Sequence, residues 1–312
     1  MNILITGASG NMGSHTARHL LATDHRLTLL QHKSPLPGEF LNHPAIEVRH
    51  ADLERPETLQ ALCSGAECIV HFAGVLFAPR PERFLQRTNV EYVENLLRAA
   101  NQEGVKKFIL VSFPHAEGES TPDHPAVGRL DANPEVIHFR TRLEAERRVM
   151  AASPITPVIF RAGIVYEKDI KLIRAAQWLL RRQLLATWRE PTWAHLVAMP
   201  DFLAALHAAI ESPSAHGIYQ VCDDGPLLLQ DFLDKLADHW HYSRPRRLPK
   251  WVFHTTGALC ETAARLFGTT AYLNRDIIKA GMTSCVADTS RMKRELLPQL
   301  AYPTIAEGLR LL

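Results

Sequence analysis

The stretch 6-TGASGNMG-13 decides the fold, by its position as much as by its content. It follows the short apolar run 2-NILIT-6 and opens a helical pattern, so its glycines lie in a strand–loop–helix turn. Gly7 permits the tight turn, Gly10 lets the backbone approach a pyrophosphate, and Gly13 allows the helix to pack close to the strand. The helix that follows offers unpaired N–H groups and the positive end of its dipole to phosphates. Gly7, Ser9, Gly10, Asn11, Met12 and Gly13 are therefore the expected contacts of a dinucleotide.

Outward from that turn, the strand-like runs 26-RLTLL-30, 45-AIEVR-49, 67-ECIVHF-72, 107-KFILVS-112 and 157-PVIFR-161 alternate with helical patterns near 11–23, 56–63, 82–103 and 138–152. Short, continuously apolar strands separated by helices predict an α/β fold, a doubly wound parallel sheet covered on both faces. Its ligand crevice lies at the carboxyl ends of the strands. After Tyr166 helical patterns dominate, at 169–183, 200–211, 228–241 and 251–267. The chain thus divides into a cofactor-binding domain, 1–166, and a smaller, mainly helical substrate domain, 167–312, with later strand contributions to the first sheet from 194–222. The segment 243-SRPRRLPK-250 reads as a solvated loop between two helices, and 115-HAEGESTPDHP-125 as a loop mobile enough to act as a lid.

Composition narrows the partners. A net charge of +2 in 312 residues, without a run of like charges, argues against nucleic acid and against a membrane surface. Five cysteines, none in a CxxC spacing, fit buried thiols in a reducing compartment. The N-terminus enters a strand at once, without a signal-peptide pattern, and no 18-residue apolar run follows, so a cytoplasmic protein is expected. Sixteen histidines are scattered, with no HExxH and only one HxxxH, His15 and His19, and no metal site is read from them.

The TGxxGxxG spacing resembles that of the short-chain dehydrogenase/reductase superfamily, and further stretches match its extended, epimerase/dehydratase-like branch in order. 51-ADL-53 stands where the family lines the adenine, and 71-HFAG-74 where the backbone passes under the cofactor. 88-TNVEYVENLLRAA-100, 157-PVIFRAGIVY-166, 197-VAMPDFLAAL-206 and 286-VADTSRMKRELLPQLAYPTIAEGLRLL-312 resemble the later motifs. The resemblance implies a Rossmann fold, a nicotinamide cofactor, a small-molecule substrate such as a nucleotide-sugar, and a homodimer through helices 82–103 and 138–152. It adds Asp52, Leu53, Phe72, Ala73, Gly74, Val111, Arg142 and Ala162 to the cofactor contacts. Members that prefer NAD carry an acid at the end of the second strand; here 31-QHKS-34 has none. His32 and Lys33 suit a 2′-phosphate, which favours NADP(H). The alternative is that both are solvated and NAD(H) binds.

The family's relay of Ser, Tyr and Lys is altered. Ser112 matches the first serine of the strand-end motif, but the substrate-contacting position is Phe113, and Glu117 stands where an aromatic residue is usual. In the extended branch YxxxK precedes an Ala-Glu pair; anchoring on Ala145 and Glu146 puts His138 at the tyrosine position and Arg142 at the lysine position. Arginine keeps the charge and can bond ribose but cannot exchange a proton. Histidine can move protons near neutral pH, with Arg142 lowering its pKa. His138, Arg142 and Ser112 are the catalytic candidates; the alternative is a cofactor-facing helix surface without an acid/base role. His115, Phe113, Arg189 and Trp193 are substrate candidates, Arg189 as a phosphate clamp. Two functions follow: an oxidoreductase or epimerase acting on a carbonyl or hydroxyl with a non-standard proton donor, or an inactive NAD(P)-binding sensor or structural protein.

Overall fold

A computed structural model describes residues 1–74, 81–267 and 274–312. The strands in chain order are β1 (Asn2–Thr6), β2 (Arg26–Gln31), β3 (Ile46–His50), β4 (Cys68–His71), β5 (Lys107–Ser112), β6 (Thr156–Ala162), β7 (Ile164–Tyr166), β8 (Ala186–Trp188), β9 (Trp193–Ala194), β10 (Leu196–Ala198), β11 (Gly217–Val221), β12 (Leu227–Leu228) and β13 (Arg246–Leu248). The helices are α1 (Asn11–Leu21), α2 (Leu59–Cys63), α3 (Pro81–Leu85), α4 (Tyr92–Gln102), α5 (Ile137–Met150), α6 (Lys171–Arg181), α7 (Met199–Glu211), α8 (Leu229–His239), α9 (Lys250–Phe267), α10 (Arg275–Met282), α11 (Ser290–Glu295) and α12 (Ile305–Gly308).

Seven strands form one parallel sheet in the order β11-β6-β5-β4-β1-β2-β3. Its apolar strands are sorted by the two-residue period of a pleated chain. Ile3 and Ile5 pack into the layer that holds Ala17 and Leu20 of α1 and Phe202 and Ala205 of α7. Leu4, between them, points into the other layer, with Leu62 of α2, Leu96 of α4 and Val149 of α5. Val158 and Phe160 of β6 repeat the first pattern and Ile159 the second. Each such side chain contributes about 1.5–3 kcal/mol by leaving water, and only a sheet covered on both faces buries all of them. The strand order reverses between β1 and β4, and the crevice of a doubly wound sheet opens at that point.

The strand expected from 194–222 is β11, which adds to the sheet edge beside β6 in register with Val158–Ala162. The remainder of the chain after β7 forms helices and two-stranded pieces: β7 with β10, β9 with β12, and β8 with β13. Here one sequence expectation is corrected. The segment 243–250 contains β13, whose Arg246–Leu248 pairs parallel with Ala186–Trp188; its arginines hid a short strand in which Arg246 is exposed and Arg247 and Leu248 are half-buried. The closing motif also finds its reason. Asp201 accepts the backbone N–H groups of Ala301 and Tyr302 at 2.8 and 2.9 Å, tying the terminal segment to α7. A Cβ on Gly308 would lie 1.9 Å from the Tyr166 hydroxyl, so only glycine fits beneath that ring.

Candidate functional site

The turn between β1 and α1 is built as its glycines require. Gly7 has φ of +77°, and a Cβ there would lie 2.9 Å from the Ala73 backbone nitrogen. A Cβ on Gly13 would lie 2.4 Å from the Gly7 carbonyl oxygen, so the helix could not approach its strand. Gly10 occupies the N-cap in extended conformation; no side chain caps the helix and no acid sits in its first turn. The first N–H groups of α1 therefore remain for an anion. Ser9 is exposed and Met12 half-buried against the core. Asn11 is used differently from the expectation of a direct cofactor contact: its side chain donates to Asp169 O at 3.0 Å and accepts from Lys171 N at 3.2 Å. It staples the loop after β7 over the start of α1, and His15 meets Glu167 of the same loop at 3.2 Å.

Across the switch point, β4 ends at His71. Its Nδ1 pairs with the Thr6 hydroxyl at 2.8 Å, and burial, helped by the Arg142 charge, pushes its pKa down to about 3. Phe72, Ala73 and Gly74 continue past the phosphate turn, with Phe72 leaning toward Phe202. A Cβ on Gly74 would lie 3.1 Å from Arg142 Nη2 and 3.5 Å from Asn89 Oδ1. Three parts of the chain thus meet at one point above the sheet. Asn89 is fully buried and donates to Thr141 Oγ1 at 3.1 Å, while its Oδ1 has no partner among the described residues. The π-helical turn Gln86–Glu91 breaks the helix expected over 82–103 and carries Asn89 inward. Arg142 is buried, with no hydrogen-bond partner for Nε or Nη1 among the described residues. Burial lowers its pKa to about 10, which leaves it a cation at neutral pH. An open helix N-terminus, a cradle that a Cβ would fill and an orphaned guanidinium together fit a dinucleotide cofactor.

The Ala-Glu pair that sets the register on α5 has a physical basis. Glu146 is fully buried and grips Arg161 of β6, accepting from its Nη2 at 2.7 Å and from its Nε at 3.2 Å. Arg161 also donates to Glu117 at 2.7 Å and to Arg129 O at 2.9 Å. The Ser112 hydroxyl donates to Glu146. Ser112 is therefore engaged in the network that holds α5 on β5 and β6. Glu117, in turn, accepts the backbone N–H groups of Val127, Gly128 and Arg129. Ser120 N donates to Ser284 O, and Ala126 N to Val286 O. The 115–125 segment, read from sequence as a lid, is pinned at both ends by these bonds.

One and two turns before Glu146 on the same face of α5 stand Arg142 and His138. The His138 ring stacks on Phe113 at 5.0 Å with 23° between planes, and both its nitrogens are buried without partners among the described residues. Burial, then the charge of Arg142 and the neighbouring His115, lowers its pKa to about 3. Phe139 closes the group, 5.0 Å from His115 and 5.7 Å from Phe113. Burial also lowers His115, to about 4. The wall at the end of β5 is thus aromatic, and its imidazoles are neutral at pH 7.

At the other end of the crevice, the His32 ring lies 3.3 Å from the Asp52 carboxylate, and Lys33 is exposed beside it. A bond from Glu54 N, with His32, Arg55 and Lys33 nearby, lowers the pKa of Asp52. Leu53 is buried and Asn95 donates to its carbonyl at 2.9 Å. Val111 and Ala162 line the inner side, half-buried and buried. Arg189 is exposed, with Nε donating to Arg247 O, and Trp193 lies half-buried where Cys285 N donates to its carbonyl. The structure therefore gathers His138, Arg142, Phe113 and His115 and leaves Arg189 on the β8–β13 edge. Sequence reading overlooked Asn89, His71 and Arg161, although all three lie inside or beside motifs that it quoted.

A parallel sheet with an open glycine turn at its switch point and a buried cation above it defines the extended short-chain dehydrogenase architecture. The sequence profile of the NAD(P)H-binding family matches residues 7–177, more than half of the chain, and the chain belongs to that family. It is 28% identical over 272 residues to the ceramide reductase of Caulobacter vibrioides, across 86% of this chain and 80% of that protein. It is 24% identical over 250 residues to human 3 beta-hydroxysteroid dehydrogenase type 7, across 71% and 68%. Among solved structures, a dTDP-glucose 4,6-dehydratase from Streptomyces venezuelae with NAD and TYD bound superposes with a TM-score of 0.79 at 18% identity, over 100% of this chain and 95% of that one. The UDP-glucose 4-epimerase of Thermotoga maritima with UDP-glucose gives 0.77 at 19%, over 100% and 97%. No helix among the described residues is long and apolar enough to cross a membrane.

Proposed function

We propose that this protein is an NADP(H)-dependent oxidoreductase that interconverts a carbonyl and a hydroxyl on a largely apolar molecule, with His138 at the substrate oxygen. The observation that carries the proposal is a pair of groups on one face of α5 without partners among the described residues: both ring nitrogens of His138 and Nε and Nη1 of Arg142. Buried polar atoms are almost always paired, so two such groups one turn apart support a site for bound molecules here. The aromatic wall of Phe113, His115 and Phe139 and the two relatives named for a ceramide and a hydroxysteroid support the apolar substrate. A nucleotide-sugar, the other substrate class suggested by fold-level kinship, needs a phosphate ligand. The sequence candidate for that role, Arg189, is exposed and bonded to a backbone carbonyl.

The bound nicotinamide supplies or accepts a hydride at the reacting carbon. Arg142, reaching toward Gly74 and Asn89, would hold the ribose hydroxyls through its planar fork, in the place of the family's lysine. His138, neutral because burial holds its pKa near 3, carries one N–H. That N–H donates to the oxygen as negative charge develops on it during reduction, and the Arg142 cation one turn away favours the same charge. The proton that completes the alcohol comes from water, since Arg142 cannot release one at neutral pH. At the adenine end, Lys33 and His32, the latter beside Asp52, would meet a 2′-phosphate, and the end of β2 itself carries no acid.

A second reading has its own observation. Ser112 is committed to Glu146, so neither Ser, Tyr nor Lys of the usual relay is present, and a cofactor-binding sensor needs none of them. The deciding experiment titrates purified protein with NADPH and NADH by fluorescence. It then follows NADPH oxidation with long-chain ketones, 3-ketosteroids and nucleotide-sugars. The proposal expects tighter NADPH binding and turnover with an apolar ketone. NADPH binding without turnover on any of the three classes supports the sensor, and a preference for NADH overturns the roles of His32 and Lys33.

A further inference from the structure

The opposite end of the sheet holds a second histidine cluster that the cofactor site does not use. Four side chains meet where α1, the turn into β2 and the end of α7 pack together. They are His19 in the last turn of α1, His25 just before β2, and His207 and Glu211 one turn apart on α7. His25 Nε2 and His207 Nε2 lie 3.6 and 3.4 Å from the same atom, Glu211 Oε1. The donor atoms of His25, His207 and Glu211 all lie within 4.8 Å of one another. His19 stands edge-on to His207 at 5.4 Å between ring centres, and His25 does so at 5.6 Å.

The Nε2 atoms of all three histidines are buried and have no hydrogen-bond partner among the described residues. His25 is the most enclosed, at 8% exposure. Two donor separations of 3.4 and 3.6 Å match the edge of a tetrahedron, about 3.3 Å for bonds of about 2.0–2.1 Å to nitrogen and oxygen. Glu211 is 57% exposed, which leaves a path for an ion from solvent.

We propose that His25, His207 and Glu211 form a binding site for a zinc-type divalent transition metal, with His19 or water as the fourth ligand. Two imidazoles and a carboxylate suit such an ion, and the single negative charge offsets half of its own. The site joins α1, which carries the phosphate turn at its other end, to α7, and it lies at the amino ends of the strands, away from the crevice. Its role is therefore structural: it clamps the first βα unit to the helix behind it. Sequence spacing did not reveal it, although His19 belongs to the HxxxH pair His15 and His19, because His25, His207 and Glu211 come from separate elements and only His207 and Glu211 share an i, i+4 spacing.

The test uses the full chain, stripped with EDTA and then titrated with Zn²⁺ by calorimetry and with Co²⁺ by visible absorption. Wild type is expected to take up one equivalent, to give the intense ligand-field bands of tetrahedral Co²⁺, and to gain thermal stability with Zn²⁺. His25→Ala and Glu211→Gln each weaken binding at least about tenfold and lose the stabilisation. Should His25→Ala fail to fold, the exposed Glu211→Gln carries the test alone. Unchanged stoichiometry and affinity in Glu211→Gln, or no response of wild type to Zn²⁺, overturns the site and assigns any uptake to surface histidines.

Discussion

The two halves of α5 bury charged and polar groups of similar size to opposite ends. In the second half, Glu146 meets every demand placed on it: Arg161 from β6, Ser112 from β5, and through Arg161 the Glu117 loop. In the first half, Arg142 is buried and His138 half-buried in the crevice wall, and both have donor or acceptor atoms without partners among the described residues. Buried charge that is fully paired holds a structure together, whereas buried charge left unpaired is a standing cost that a bound molecule can remove. The difference separates the part of the helix that builds the site from the part that uses it.

Removing Glu146 tests the second half and has the largest effect. Glu146→Gln leaves the Arg161 cation buried with Glu117 as its remaining partner, and costs about 3–5 kcal/mol of stability, read by urea unfolding at pH 7. His138→Ala does the reverse. It leaves the unfolding midpoint within experimental error and lowers kcat for carbonyl reduction by about 10²–10³-fold without weakening the cofactor. A comparable loss of stability in this variant would break the distinction between the halves. Arg142→Met removes an unpaired cation from the interior, so stability holds or rises. Cofactor affinity falls by about 10–100-fold, the loss of about 1.5–3 kcal/mol for hydrogen bonds from a charged donor.

The smallest effect is on pH dependence. His71, His138, His115 and His195 have pKa values lowered to about 3, 3, 4 and 4, all by burial. The unfolded chain takes up these protons near pH 6.5, the folded chain only near 3–4. Stability is therefore fully present above about 6.5 and is lost as pH falls toward 4. Asp223 opposes this: burial raises its carboxyl to about 7, so the folded state holds that proton and gains stability as pH falls from 7 toward 4. Four groups against one give a net loss, seen as a lower thermal midpoint at pH 5 than at pH 7. His138→Ala makes the slope shallower by one proton. The catalytic rate itself stays flat from pH 5 to 8, because His138 does not titrate there.

Legibility in the sequence followed the range of the interactions. The glycine turn was readable because its three constraints fall within eight residues and each excludes a side chain. The strands were readable because continuous apolar runs leave no other way to be buried. The α5 register was readable from Ala145 and Glu146, yet the reason for it, the grip of Glu146 on Arg161, spans fifteen residues and two elements. Asn89 stood inside a quoted motif, but its inward turn depends on a π-helical step that no local pattern marks. The 243–250 strand was hidden by charged residues on its exposed side, and the supposed lid by backbone bonds to residues more than 150 positions away.

By itself, the sequence determined the cofactor class, the doubly wound sheet and the identity of the residues at the altered relay, since these rest on short-range sterics and on the burial of apolar strands. Only the tertiary structure decided which buried polar groups are paired and which are not. Pairing is a contest among partners brought from distant parts of the chain, and its losers, His138 and Arg142 at one end of the sheet and the histidines around Glu211 at the other, are where this protein has room for something else.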